Sequence, residues 1–139
     1  MPAEHTYDYA IIRVVPRVDR GECVNAGVVV SCPGLDFLEA AIDVDRERLV
    51  AFAPDVDLEL VCNHLDAVVR VCRGGPDAGE LGDIPQRGRF HWLVAPRSTV
   101  IQMSAVHTGR TSDPAATLAR LVATLVRTTT PNQTADSGV

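Results

Sequence analysis

Near the amino terminus, Arg13, Arg17, Arg20, Glu22 and Asn25 have side chains that could hold an anion or a planar polar group. An arginine on a strand face offers a flat fork of donors that matches carboxylate and phosphate. An Arg-Gly-Glu turn and an Asn lie close by in sequence, and Gly27 would let a ligand approach the backbone. The competing reading is structural: an internal Arg–Glu pair fixes the turn and Asn25 bonds backbone at a bulge.

A second group comprises Arg89, His91, Arg97, Ser98 and His107. Two histidines acting as acid and base, with arginines holding a phosphate, are the parts of a phosphodiester chemistry. The H-x-[ST] pairs of two-histidine phosphoesterases are missing, since the chain reads His91-Trp92-Leu93 and His107-Thr108-Gly109. His91 and His107 would have to meet across a hairpin. Ser98 lacks the G-x-S-x-G frame of a nucleophile elbow.

Metal chemistry has no pattern to stand on. Cys62 and His64 are two apart on a helix and point in different directions. Cys62 and Cys72 are not at zinc-finger spacing. Cys23 and Cys32 are explained by strand packing, and Asp43 and Asp45 by a solvated strand end. No metal and no cofactor is expected. The 13 basic side chains are all arginine, which removes a P-loop lysine, a pyridoxal Schiff base and a lysine base from consideration.

With 139 residues the chain is long enough for one substantial core. The net charge of −5 disfavours broad nucleic-acid binding, which needs phosphate neutralisation across a surface. Charge is unevenly placed. Residues 55–83 carry seven acids and two arginines, whereas 84–112 carry four arginines, two histidines and no acid. The amino terminus lacks a signal-peptide pattern, and no apolar run approaches the roughly 20 residues of a membrane span. A cytoplasmic protein with free thiols is expected.

The elements that would position these groups follow from periodicity. Residues 7–16, 22–32 and 37–43 read as a meander of three strands. A helix follows Pro54 with Asp55 as cap, shows Val61, Leu65, Val68, Val69 and Cys72 on one face, and stops at Gly74–Gly75. "DVDRERLVAF" adds one or two helical turns before it. Residues 74–88 read as a loop, and 89–95 and 99–107 as an arginine-rich hairpin about "PRS". Asp113 caps a last helix that opens with Pro114. The order β-β-β-α-β-β-α predicts an α+β domain: a mostly antiparallel five-stranded sheet with two helices packed on one face. Residues 1–6 are expected to be a flexible lead, 7–127 the domain and 128–139 a disordered tail.

Strand alternation places Ala10, Ile12, Val14, Val24, Ala26, Val28, Val30, Leu38, Ala40, Ile42, Phe90, Trp92 and Val94 beneath the helices. Arg13, Asn25, Glu39, His91, Gln102 and Ser104 then occupy the open face.

The segments "RVVPRVDRGECVNAGVVV" and "RFHWLVAPRSTVIQMSAVHTG" resemble the bacterial family catalogued as domain of unknown function 3037, over about residues 7–126. The resemblance brings no catalytic residue with it. It implies an association with kinase-like proteins related to the HipA toxin kinases. The expected function is therefore a cytoplasmic protein-interaction or regulatory module, using the open face or the Arg89–Arg110 segment, with a HipA-like kinase as candidate partner. A second copy of the chain is another candidate, and a membrane or nucleic-acid partner is not expected. The alternative is a nucleotide- or phosphate-ester-processing enzyme built on Arg13, Arg97, His91 and His107.

Overall fold

The structure is a computed structural model that describes residues 2–97 and 99–127. The expected tail and Ser98 lie outside the described residues. Five strands form an open antiparallel sheet: β1 (His5–Val14), β2 (Val24–Cys32), β3 (Phe37–Ile42), β4 (Ile101–Met103) and β5 (His107–Thr111). Four α-helices accompany it: α1 (Arg46–Phe52), α2 (Leu58–Arg73), α3 (Gln86–Val94) and α4 (Pro114–Leu125). The class is α+β. The sheet runs β3-β2-β1-β4, and β5 also pairs with β1. β1 thus divides its outer edge, giving residues 12–14 to β4 and 5–9 to β5. Ser104 bridges the gap: its N–H donates to Ile11 O, and its hydroxyl accepts from Ile11 N at 2.8 Å.

The two helices read from the sequence do not share a face. α1, α2 and α3 pack with Ala10, Ile12, Val14, Val24, Ala26, Val29 and Leu38. α4 packs with Tyr7, Val28, Val30 and Cys32 from the opposite side. The physical reason lies in β2. Val28, Val29 and Val30 are consecutive and all fully buried, so this strand needs cover on both faces. A β-bulge explains why simple alternation failed. Ile12 pairs with Gly27 but Arg13 pairs with Asn25, so Ala26 is the extra residue and the even positions of β2 change sides there.

Gly27 stands at this irregularity for a steric reason. A Cβ there would lie 2.5 Å from Ala41 O and 2.9 Å from Ile42 Cδ1, so the space above it is filled by β3 and holds no ligand. Helix ends follow the sequence signals more closely. Asp45, Asp57 and Asp113 cap α1, α2 and α4 through backbone N–H groups of Arg48, Leu60 and Ala116. The α2 cap is therefore Asp57, two residues beyond the expected Asp55.

The expected hairpin is the largest correction. Its first arm is helix α3, and its second arm is two short strands separated by residues 104–106. Phe90 and Leu93, three apart, are the buried apolar residues of α3, which a helix brings to one face. Trp92, expected in the core beside Phe90, is 41% exposed. The 74–88 loop contains a 3-10 segment, Pro76–Asp83, before Pro85 leads into α3.

Candidate functional site

The first sequence-derived constellation divides between two places. Arg13 and Asn25 are register partners on the α4 side of the sheet. Asn25 Nδ2 donates to Leu125 O at 3.0 Å, which ties β2 to the end of α4. Arg13 Nε is buried and finds no hydrogen-bond acceptor among the described residues. Arg17, Arg20 and Glu22 instead line a shallow depression with Phe52 and Asp55. Arg20 Nε donates to Glu22 Oε1 at 2.6 Å, and Arg17 lies 3.9 Å from Asp19. These are exposed pairs within one turn, and such pairs contribute little to stability.

The second constellation separates as well. His91 is an exposed residue of α3, on the side of the sheet that carries Asp8. His107 is on β5 and stacks on Tyr9, with ring centroids 5.2 Å apart. Asp8 and Tyr9 are neighbours on one strand and face opposite sides. The two histidines are therefore divided by the sheet, and His91 does not lie on the face expected for it.

Beside His91 is a polar clamp that the sequence did not suggest. Arg87 donates to Ser31 Oγ at 2.8 Å and to Asp8 Oδ2 at 2.5 Å, and the Thr108 hydroxyl donates to Asp8 Oδ1 at 2.6 Å. Burial pushes the Asp8 carboxyl up, but the Thr108 bond, the Arg87 guanidinium and His91 together hold it below the ordinary value. With both oxygens of Asp8 engaged by protein groups, this cluster fastens α3 and β5 onto β1.

A second arginine of α3, this one buried, is also structural. Arg89 is 8% exposed and donates to Val71 O at 2.8 Å and Ile84 O at 2.6 Å. It lies at the carboxyl end of α2, where unpaired carbonyls favour a cation. Cys72, beside it, is a core thiol that burial pushes up to about 12. It stays protonated at neutral pH and is no nucleophile. Among the described residues no group of three or more His, Cys, Asp and Glu side chains gathers as a metal site. No helix among them is long and apolar enough to cross a membrane.

Arg97 and Trp92 come together in the arrangement best suited to recognition. They lie at a cleft of about 260 Å³ between α2, α3 and β4. Ala67, Val68 and Val71 form one wall, Leu93 another, and Ile101 and Met103 a third. The Arg97 guanidinium lies 3.8 Å from the centre of the Trp92 ring, and its Nη2 donates to Trp92 O. Stacking and hydrogen bond fix the direction of a cation that forms no ion pair among the described residues. His64 is a second basic group in the lining, and among the described residues none that lines the cleft is acidic.

This geometry can take an apolar group into the cleft and an anion onto Arg97. The sequence reading had Arg97 in its site and missed Trp92 and His64. The usable signal was an arginine five residues after the only tryptophan, in a stretch without acids.

The chain from residue 9 to residue 126 matches the family described as "Protein of unknown function (DUF3037)". No curated protein matches it, and no solved structure does.

Proposed function

The chain belongs to the family described as protein of unknown function (DUF3037), and from that premise we propose that it is a protein-interaction module. It receives an apolar, acid-bearing segment of a partner in the cleft between α2, α3 and β4. The observation that carries this reading is the Arg97–Trp92 stack at an open cleft whose walls are apolar and whose lining, among the described residues, has no acid. Tryptophan and arginine are among the side chains enriched at the energetic centres of interfaces. The run from Ile84 to Ser112, which contains this lip, has no Asp or Glu, which favours an acidic partner on that side of the cleft.

A kinase-like protein related to the HipA toxin kinases is the first partner to try. The full chain, co-expressed with such a kinase, is expected to co-purify with it. Arg97→Glu is expected to reduce retention about tenfold or more, since it puts a like charge against the partner's acid. Undiminished retention by Arg97→Glu excludes the cleft. If neither the kinase nor a second copy of the chain is retained, the interaction reading fails.

The phosphate-ester reading required Arg13, His91, Arg97 and His107 to converge. His91 and His107 lie on opposite faces, and Arg97 is stacked on Trp92. The four side chains therefore do not form one site.

A further inference from the structure

Resting on that reading, we infer that the group taken by the cleft is the carboxyl terminus of a partner polypeptide that ends in an apolar residue.

Three observations lead to this chemistry. First, the polar groups at the lip are mostly committed. The Thr99 hydroxyl donates to Ile101 O at 2.6 Å, and Gln102 Nε2 donates to Thr99 O at 2.9 Å. Arg97 commits one hydrogen bond, to Trp92 O, and keeps donors on its other nitrogens. Among the described residues the site therefore offers one strong anion-binding fork, with His64 as the other basic group of the lining. A nucleotide or sugar phosphate would bring hydroxyl and base groups that these apolar walls leave unpaired.

Second, the cleft is small. Its volume of about 260 Å³ lies under the roughly 300–1,000 Å³ of pockets that enclose a whole drug-sized ligand. One or two side chains fill it, with the rest of the occupant outside.

Third, Arg97 is itself part of the wall, so the anion and the apolar group must lie close together. In a terminal residue the carboxylate and the side chain branch from the same Cα. Adjacent side chains within an extended segment point to opposite sides. A chain end meets the geometry with a single residue, and capture of terminal carboxylates is a recurring mode of peptide recognition. The planar fork of Arg97 can bind both carboxylate oxygens.

Trp92 is the only tryptophan in the chain and lies at the lip, so its fluorescence reports occupancy directly. The full chain is titrated with N-acetylated glycine–serine pentapeptides ending in leucine, valine or phenylalanine. Each is tested as the free acid and as the terminal amide, and hexanoate is tested alongside.

At least one free acid is expected to give a saturable change, with its amide about tenfold or more weaker. Arg97→Gln is expected to bring the acid to the level of the amide. Ala67→Phe, which fills the cleft from a half-buried position, is expected to remove both. Equal binding of acid and amide, lost in Ala67→Phe, overturns the carboxylate inference and leaves the cleft reading standing. Hexanoate binding as tightly as the best peptide overturns the choice of a polypeptide end. If no peptide binds, the inference fails. The cleft reading is then decided separately by whether Ala67→Phe lowers kinase retention.

Discussion

Phe90 and Trp92 give a sharp quantitative test, because they are neighbours of similar chemistry with different burial. If residues 89–95 were a strand, both would point to the same side and their removal would cost similar amounts. In α3 they diverge, leaving Phe90 1% exposed and Trp92 41% exposed. Phe90→Ala empties a filled site beneath α2 and α3, and such truncations cost about 3–5 kcal/mol. Trp92→Ala removes a side chain covered over little more than half its surface. A buried contact of order 100 Å² at about 25 cal/mol per Å² gives an upper limit of about 2.5 kcal/mol. Alanine's better helix propensity offsets up to about 0.7 kcal/mol of that. The expected loss is therefore about 1–2 kcal/mol for Trp92→Ala. Urea denaturation followed by far-ultraviolet circular dichroism measures both without relying on the tryptophan signal. Equal losses, or a larger loss at Trp92, would refute the helical placement and with it the exposed lip of the cleft.

Other consequences follow from the same geometry. Leu121→Ala is expected to cost about 2–5 kcal/mol, because α4 covers the second face of the sheet; a loss under about 0.5 kcal/mol in denaturation would mean that this face is bare. Asp8 has its folded-state pKa below the ordinary value, so it stabilises the fold above the unfolded carboxyl pKa of about 3.9 and loses that contribution as pH falls through the folded value. Asp8→Asn should accordingly cost about 1–2 kcal/mol near neutral pH, with the gap from wild type closing below about pH 4; a gap that widens in acid would contradict the clamp. A thiol reagent applied to the native chain should label exposed Cys23 first, while Cys32 and Cys72 react only on unfolding. Labelling of native Cys72 at the rate of Cys23 would contradict its burial.

Much of the architecture was legible because local signals and tertiary demands agreed. The alternation in β1, the Asp113–Pro114 start of α4 and the Gly74 stop of α2 each state one element and admit no close competitor. Three features were illegible for separate reasons. In α3, Phe90, Trp92 and Val94 alternate as a strand would, while Phe90 and Leu93 fit a helix, and the short run cannot decide between the periods. In β5, "HTGRT" has no apolar residue, and only its pairing with β1 makes it a strand. In β2, "VVV" is the mark of a strand covered on both faces, but the bulge at Ala26 conceals which residues turn which way. The misplaced α4 follows from this last point.

The candidate site was partly visible for the same reasons. Arg97 lay in an acid-free stretch, but its stacking on Trp92 depends on α3 ending between them. His64 enters the lining only through the packing of α2 against α3 and β4. The dispersal of Arg13, Arg17, Arg20, Glu22 and Asn25 also depends on folding. A bulge and a turn carry residues close in sequence to different sides.

The claim that the α2–α3–β4 cleft receives the partner is tested most directly by hydrogen-exchange mapping of the full chain, free and in complex with the kinase-like protein. The account predicts added protection at residues 64–71, 92–97 and 99–103, with residues 7–13 and 107–110 unchanged. Protection confined to the Tyr9–His107 side of the sheet, with the cleft exchanging as in the free chain, would contradict it.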